Sequence, residues 1–114
     1  MKKNDEIYIG HMLDAIEKIE RYLRTASIED FIAEDLLFDA VCREFGIIGE
    51  AANNISMAFR ESHTDIAWKQ AIGLRHTLIH EYFGVNAKIL WDTYEKDLPI
   101  LKKSLLPFRL NEDI

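Results

Sequence analysis

Between Ile7 and Leu23 the apolar residues Ile9, Met12, Leu13, Ile16, Ile19 and Leu23 recur at steps of three and four. That spacing gathers side chains into one stripe along an α-helix and would scatter them over both faces of a strand. The segment therefore reads as an amphipathic helix, with Asn4 or Asp5 placed to cap its start. No stretch of the chain alternates with strand period, and the chain holds only 5 Gly and 2 Pro in 114 residues. Helix formers with few breakers between them point to an all-α fold.

After a turn at Thr25 and Ala26, Ser27 opens a Ser-x-x-Asp pattern with Asp30, a capping-box variant that starts a second helical stretch. The apolar spacing carries it, with a break near Ala33, through Leu36, Leu37, Val41, Phe45, Ile48, Ala52, Ile55 and Phe59. Gly46 and Gly49 interrupt this helix at a cost of about 1 kcal/mol each relative to Ala, which suggests that another backbone packs close against them. Together with Ala51 and Ala52 they form a smooth patch. The polar run Glu61 to Asp65 reads as a loop, and Thr64 or Asp65 can cap a third helix through Trp68, Ile72, Leu74, Leu78 and Ile79. Gly84 ends that helix. Asn86 caps a fourth through Leu90, Trp91 and Tyr94, which Pro99 must kink or restart as a short fifth helix ending near Pro107. The expected architecture is an up-and-down bundle of four to five helices, with residues 1–114 as a single domain.

Composition removes several classes of function. The single cysteine, Cys42, cannot form an internal disulfide. The charged N-terminus MKKNDE has no apolar run behind it, so no signal peptide is visible, and no unbroken stretch of about 18 apolar residues offers a membrane span. The cytoplasm is the simplest location. A net charge of −6 argues against coating nucleic acid through a broad basic surface. The charge is uneven, however. Between Ile66 and Leu90 the bases Lys69, Arg75 and Lys88 face Glu81 alone, a net +2 that leaves −8 on the rest. A polyanion would be drawn to that end.

The same segment gathers the reactive side chains. In GLRHTLIHEYFGVN, from Gly73 to Asn86, Arg75, His76, Thr77, His80, Glu81 and Tyr82 crowd the end of the third helix and the turn after it. Arg75, four residues, His80, one residue and Tyr82 reproduce the RxxxxHxY motif of HEPN-superfamily ribonucleases, and the chain resembles the HepT toxin family within it. The resemblance runs nearly end to end, through YLRTASIEDF, IGEAANNIS (48–56), AWKQAIGLR (67–75), HEYFGVN and ILWDTYEKDLPIL in order. One position departs: many relatives place Asn after the motif arginine, where this chain has His76.

The resemblance implies a metal-independent endoribonuclease with Arg75 and His80 as catalytic residues and His76 and Tyr82 supporting the cleft. It also implies a homodimer and a place as the toxin of a type VII-like toxin–antitoxin pair. A small nucleotidyltransferase antitoxin of the MntA type would silence it by transferring AMP from ATP onto Tyr82, so that ATP is the partner's substrate and this chain itself needs no cofactor. The chemistry suits the residue types. RNA can be cut when its 2′-hydroxyl loses a proton and attacks the adjacent phosphate, giving a 2′,3′-cyclic phosphate and a 5′-hydroxyl. A histidine with an unperturbed pKa of about 6.5 can move the protons, and an arginine can hold phosphate oxygens as negative charge builds.

Geometry adds a constraint. Five positions at about 100° each set Arg75 and His80 roughly 140° apart on a regular helix. Either the arginine reaches round, the helix frays before His80, or a second subunit completes the site. Blander roles compete for each residue: a surface ion pair for Arg75, a helix-end cap for His80, a core-closing amphipath for Tyr82. His76 and His80 form an i, i+4 pair, but without an HExxH pattern no metal site is expected. Trp68, Trp91, Phe59 and Tyr94, at helical spacing among aliphatics, are expected in the core. Glu50, beside Asn53 and Asn54, could support the motif arginine or stand in solvent. The alternative function is a non-catalytic helical partner or modification target of a nucleotidyltransferase.

Overall fold

In a computed structural model, which describes residues 3–80 and 86–109, and of residues 3 and 76–80 the backbone alone, the chain is all-α. The element order is α1 (Lys3–Leu23), α2 (Ile28–Ala33), α3 (Asp35–Asn54), α4 (Met57–Ser62), α5 (Trp68–His80), α6 (Ala87–Asp92), a π-helical turn (Thr93–Asp97), α7 (Leu98–Leu105) and a 3₁₀ turn (Leu106–Phe108). Helices α1, α3 and α5 lie side by side, α3 central, and α7 closes against α1. Among the described residues no helix is long and apolar enough to cross a membrane.

The expected stripe of α1 is the floor of the core. Ile9, Met12, Leu13, Ile16 and Ile19 are fully buried against Val41, Phe45, Ile48 and Ala52 of α3. At about 1.5 to 3 kcal/mol for each fully buried large apolar side chain, this seam carries a major share of the stability. Phe59, Trp68 and Trp91 are buried and Tyr94 is half-buried, so the four aromatics belong to the core as their spacing predicts. Phe31 anchors α2 by packing its ring against Phe38 and Trp91, with centroids 5.3 and 5.9 Å away.

Local signals hold where they are self-contained. Ser27 and Asp30 form the reciprocal capping box, and the Asn86 side chain accepts from the Lys88 amide at 2.8 Å. The break near Ala33 falls at Glu34, between α2 and α3.

Three boundaries differ from expectation. Asp5 does not cap α1, which begins at Lys3. It is buried, and its carboxylate accepts from the Ser56 amide (2.8 Å) and the Ser56 hydroxyl (2.7 Å). Ser56 in turn caps α4 by accepting from the Phe59 amide. That lock is why the long helix stops at Asn54 instead of running on through Phe59: residues 55 and 56 are extended to meet α1. Third, α5 starts at Trp68, too late for Thr64 or Asp65 to cap it. Ala67 offers the first helical carbonyl, and the Trp68 indole N–H donates to the His63 carbonyl at 2.9 Å. Pro99, by contrast, does what its position predicts: it stands in the first turn of a short last helix, α7, which ends at Leu105 beside Pro107. The chain passes from α6 to α7 through the π turn, where the Leu98 amide reaches back to the Thr93 carbonyl. One residue of slack ahead of Pro99 accommodates a ring that would otherwise crowd the preceding turn.

The end of the described chain is clasped to α1. Arg109 donates to both carboxylate oxygens of Glu17, at 2.9 and 2.8 Å, and to Asp14, while Lys102 pairs with Glu20. The Arg109 hydrogen bond holds the Glu17 carboxyl below its ordinary range. Burial pushes the Cys42 thiol up to about 11, helped by the nearby Asp39 carboxylate, so it stays protonated at neutral pH.

Candidate active site

The site begins with an absence of side chain. A Cβ built on Gly49 would stand 2.5 Å from the Arg75 amide nitrogen and 2.6 Å from the Arg75 Cβ. The close backbone approach expected of the glycines in α3 is therefore real at Gly49, and the backbone that approaches is that of the motif arginine. Only glycine permits it.

Directly after Gly49, Glu50 turns its carboxylate onto Arg75: the Glu50 Oε2 pairs with the Arg75 Nε. Asn54, one turn on, donates through Nδ2 to the Glu50 carbonyl at 2.9 Å and lies 3.5 Å from Oε1. The two readings open for Glu50 meet in the structure: the carboxylate pairs with the arginine while standing largely in solvent. The Arg75 and Glu50 side chains are 44% and 54% exposed, and an ion pair so open to water adds at most about 1 kcal/mol to stability. Its effect is directional. A carboxylate on Nε fixes the arginine stem against α3 and orients the terminal nitrogens of the guanidinium fork, which can engage a phosphate bidentately.

Helix α5 continues without interruption through His80. The helix does not fray before the motif histidine, which removes one of the three ways to bring Arg75 and His80 together. The described structure places the backbones of His76 and His80 on α5, with Arg75 tied towards α3. Tyr82 and Gly84 lie outside the described residues. Among the described residues no group of three or more His, Cys, Asp or Glu side chains is arranged to hold a metal ion.

A helical bundle whose central pair of helices positions an arginine at the head of an RxxxxH segment defines an all-α, HEPN-like protein. The comparisons give the particular family. The family described as "Ribonuclease HepT-like" matches residues 12–106, and the chain belongs to it. A "Probable ribonuclease HepT" of Thermococcus cleftensis is 40% identical over 102 residues, covering 90% of this chain and 93% of that protein. A "Putative RNase" of Caldanaerobacter subterraneus subsp. tengcongensis is 41% identical over 103 residues, covering 90% of this chain and 92% of the relative. A third relative, from Methanocaldococcus jannaschii, is described as "Gamma-glutamylcyclotransferase and putative RNase" and is 42% identical over 106 residues. The match takes in 93% of this chain but only 48% of that longer protein. No solved structure matches the chain.

Proposed function

We propose that this chain is a metal-independent endoribonuclease, the toxin of a type VII-like toxin–antitoxin pair. The observation that carries the proposal is the arginine held from behind: Glu50 takes the Nε of Arg75 at a point where Gly49 lets the two backbones meet. A surface arginine in a casual ion pair does not call for a glycine in the helix beneath it.

In the proposed reaction the Arg75 guanidinium binds the scissile phosphate and offsets the charge that grows as phosphorus becomes five-coordinate. A neutral His80 imidazole takes the proton of the 2′-hydroxyl. The 2′-oxygen forms its bond to phosphorus, the bond to the 5′-oxygen breaks, and a protonated imidazole supplies the proton that oxygen needs to leave. One imidazole cannot be neutral and protonated at once. With about 140° separating the two motif positions on an unbroken α5, a two-fold homodimer that contributes two copies of His80 answers both requirements. In this reading His76 would shape the cleft or meet phosphate, and the Tyr82 hydroxyl would act beside the scissile group.

The same reading makes Tyr82 the regulatory point. A nucleotidyltransferase antitoxin of the MntA type would join the AMP of ATP to the Tyr82 hydroxyl and release pyrophosphate. The added phosphate would fill the cleft and repel RNA. ATP belongs to that partner, the chain itself uses no cofactor, and the pair works in the cytoplasm.

The test is cleavage of RNA by unmodified protein in EDTA, beside Arg75→Ala and His80→Ala variants of unchanged thermal stability. The expected result is cyclic-phosphate ends from the parent and a rate lower by about 10²- to 10³-fold in Arg75→Ala. Intact RNA across varied substrates, with protein whose mass shows no AMP, would refute the nuclease and leave the non-catalytic partner of a nucleotidyltransferase.

A further inference from the structure

The turn that joins α2 to α3 leaves a large apolar side chain bare: Leu36, in the first turn of α3, is 88% exposed. It lines a groove of about 690 Å³ together with Tyr22 and Ala26, from α1 and the turn after it, and Leu37 and Ala40 of α3. Three carboxylates line the same groove, those of Asp30, Glu34 and Asp35, and among the described residues none of them stands in an ion pair. From Tyr22 to Ala40 the chain sets Arg24 alone against Glu29, Asp30, Glu34, Asp35 and Asp39, a net −4 of the −6 carried by the whole. Leu36 precedes Gly49 by 13 positions on α3, about 20 Å along the helix axis, so the groove and the Arg75 site lie towards opposite ends of that helix.

We infer that this groove docks a basic amphipathic helix of a partner protein, whose apolar stripe takes Leu36 and Tyr22 and whose Lys and Arg side chains meet Asp30, Glu34 and Asp35. Charge selects the occupant. The carboxylates repel an RNA backbone, and a two-fold pairing through this face would set them against their own copies. A helix with Lys and Arg flanking an apolar stripe meets both demands at once: it removes Leu36 from water and neutralises the carboxylates around it. With the two sites at opposite ends of α3, such a partner is held while Arg75 stays open to RNA.

Fluorescence anisotropy with a labelled helical peptide of Leu and Lys, its leucines at steps of three and four, tests this on wild type, Leu36→Ser and the double variant Glu34→Gln/Asp35→Asn. All three positions are exposed, so both variants should melt close to wild type. Each should weaken the peptide by at least about tenfold, while RNA cleavage per molecule stays at the wild-type level. A peptide of the same composition, with its leucines scrambled out of the stripe, should bind wild type at least about tenfold more weakly than the first. Failure of wild type to bind the striped peptide, no preference between the two peptides, or equal binding by wild type and Leu36→Ser would each overturn the inference. If light scattering shows wild type associating with itself in a way that Leu36→Ser abolishes, the occupant is a second copy and the inference is wrong in its partner.

Discussion

The two seams of α3 are built on opposite terms. Towards α1 it presents Val41, Phe45, Ile48 and Ala52, an apolar seam locked at its end by the buried Asp5 on Ser56. Towards α5 it presents Gly49 and then Glu50: a backbone contact, followed at once by an ion pair open to water. The first seam stores free energy of folding. The second stores almost none in its ion pair, and instead fixes where a cation stands. A chain of this size can thus keep its chemistry on a surface whose failure does not unfold it.

That division can be broken at its stable side first. Phe45→Ala should cost about 3 to 5 kcal/mol by emptying part of the α1 seam. Denaturant melts would report the loss, while cleavage per folded molecule stays near wild type. If cleavage falls as steeply as stability, the two seams are not separate. Gly49→Ala comes next. Its methyl overlaps the Arg75 backbone, and pushing α5 outward should cost about 1 to 3 kcal/mol, less what alanine returns in helix propensity. Here activity should fall more than stability accounts for. Glu50→Gln sharpens the comparison further, because it should move stability by no more than about 1 kcal/mol while slowing cleavage by roughly tenfold or more. A full-speed Glu50→Gln enzyme would mean that Arg75 finds its place without the carboxylate.

The smallest effect concerns the clasp on α1. Glu17 has its folded pKa lowered by Arg109, so its contribution is present above the ordinary carboxylate range and is lost as pH falls through the folded value. Replacing Arg109 with Gln should cost at most about 1 kcal/mol at neutral pH, and the gap from wild type should close on acidification. A gap that persists once the Glu17 carboxyl is fully protonated would assign the effect to packing rather than charge.

Much of the fold was legible because its signals are local: the stripe of α1, the box at Ser27 and Asp30, the cap at Asn86 and the core aromatics each need only a few neighbouring residues. The end of α3 was not. Apolar spacing runs on through Ile55 and Phe59, and the interruption comes from Asp5, 51 residues away. The π turn was half legible, since Pro99 announces a disturbance without saying how the backbone absorbs it. At the site, Gly49 was readable as a close approach and Glu50 as one of two possibilities. That they act on the same residue, Arg75, is a property of how α5 lies along α3, which spacing within either helix does not encode. The side chains of His76 and His80, and all of Tyr82, fall outside the described residues.

The lock between Asp5 and Ser56 also bears on how the molecule comes into being. Helix α1 leaves the ribosome before any of its partners, with its apolar stripe uncovered. At about 5 to 20 residues per second, the serine that fastens its first turn follows some seconds later, and Arg109, which fastens its middle, later still. The nascent protein therefore passes through an interval in which this apolar stripe exists without the partners that cover it in the finished fold.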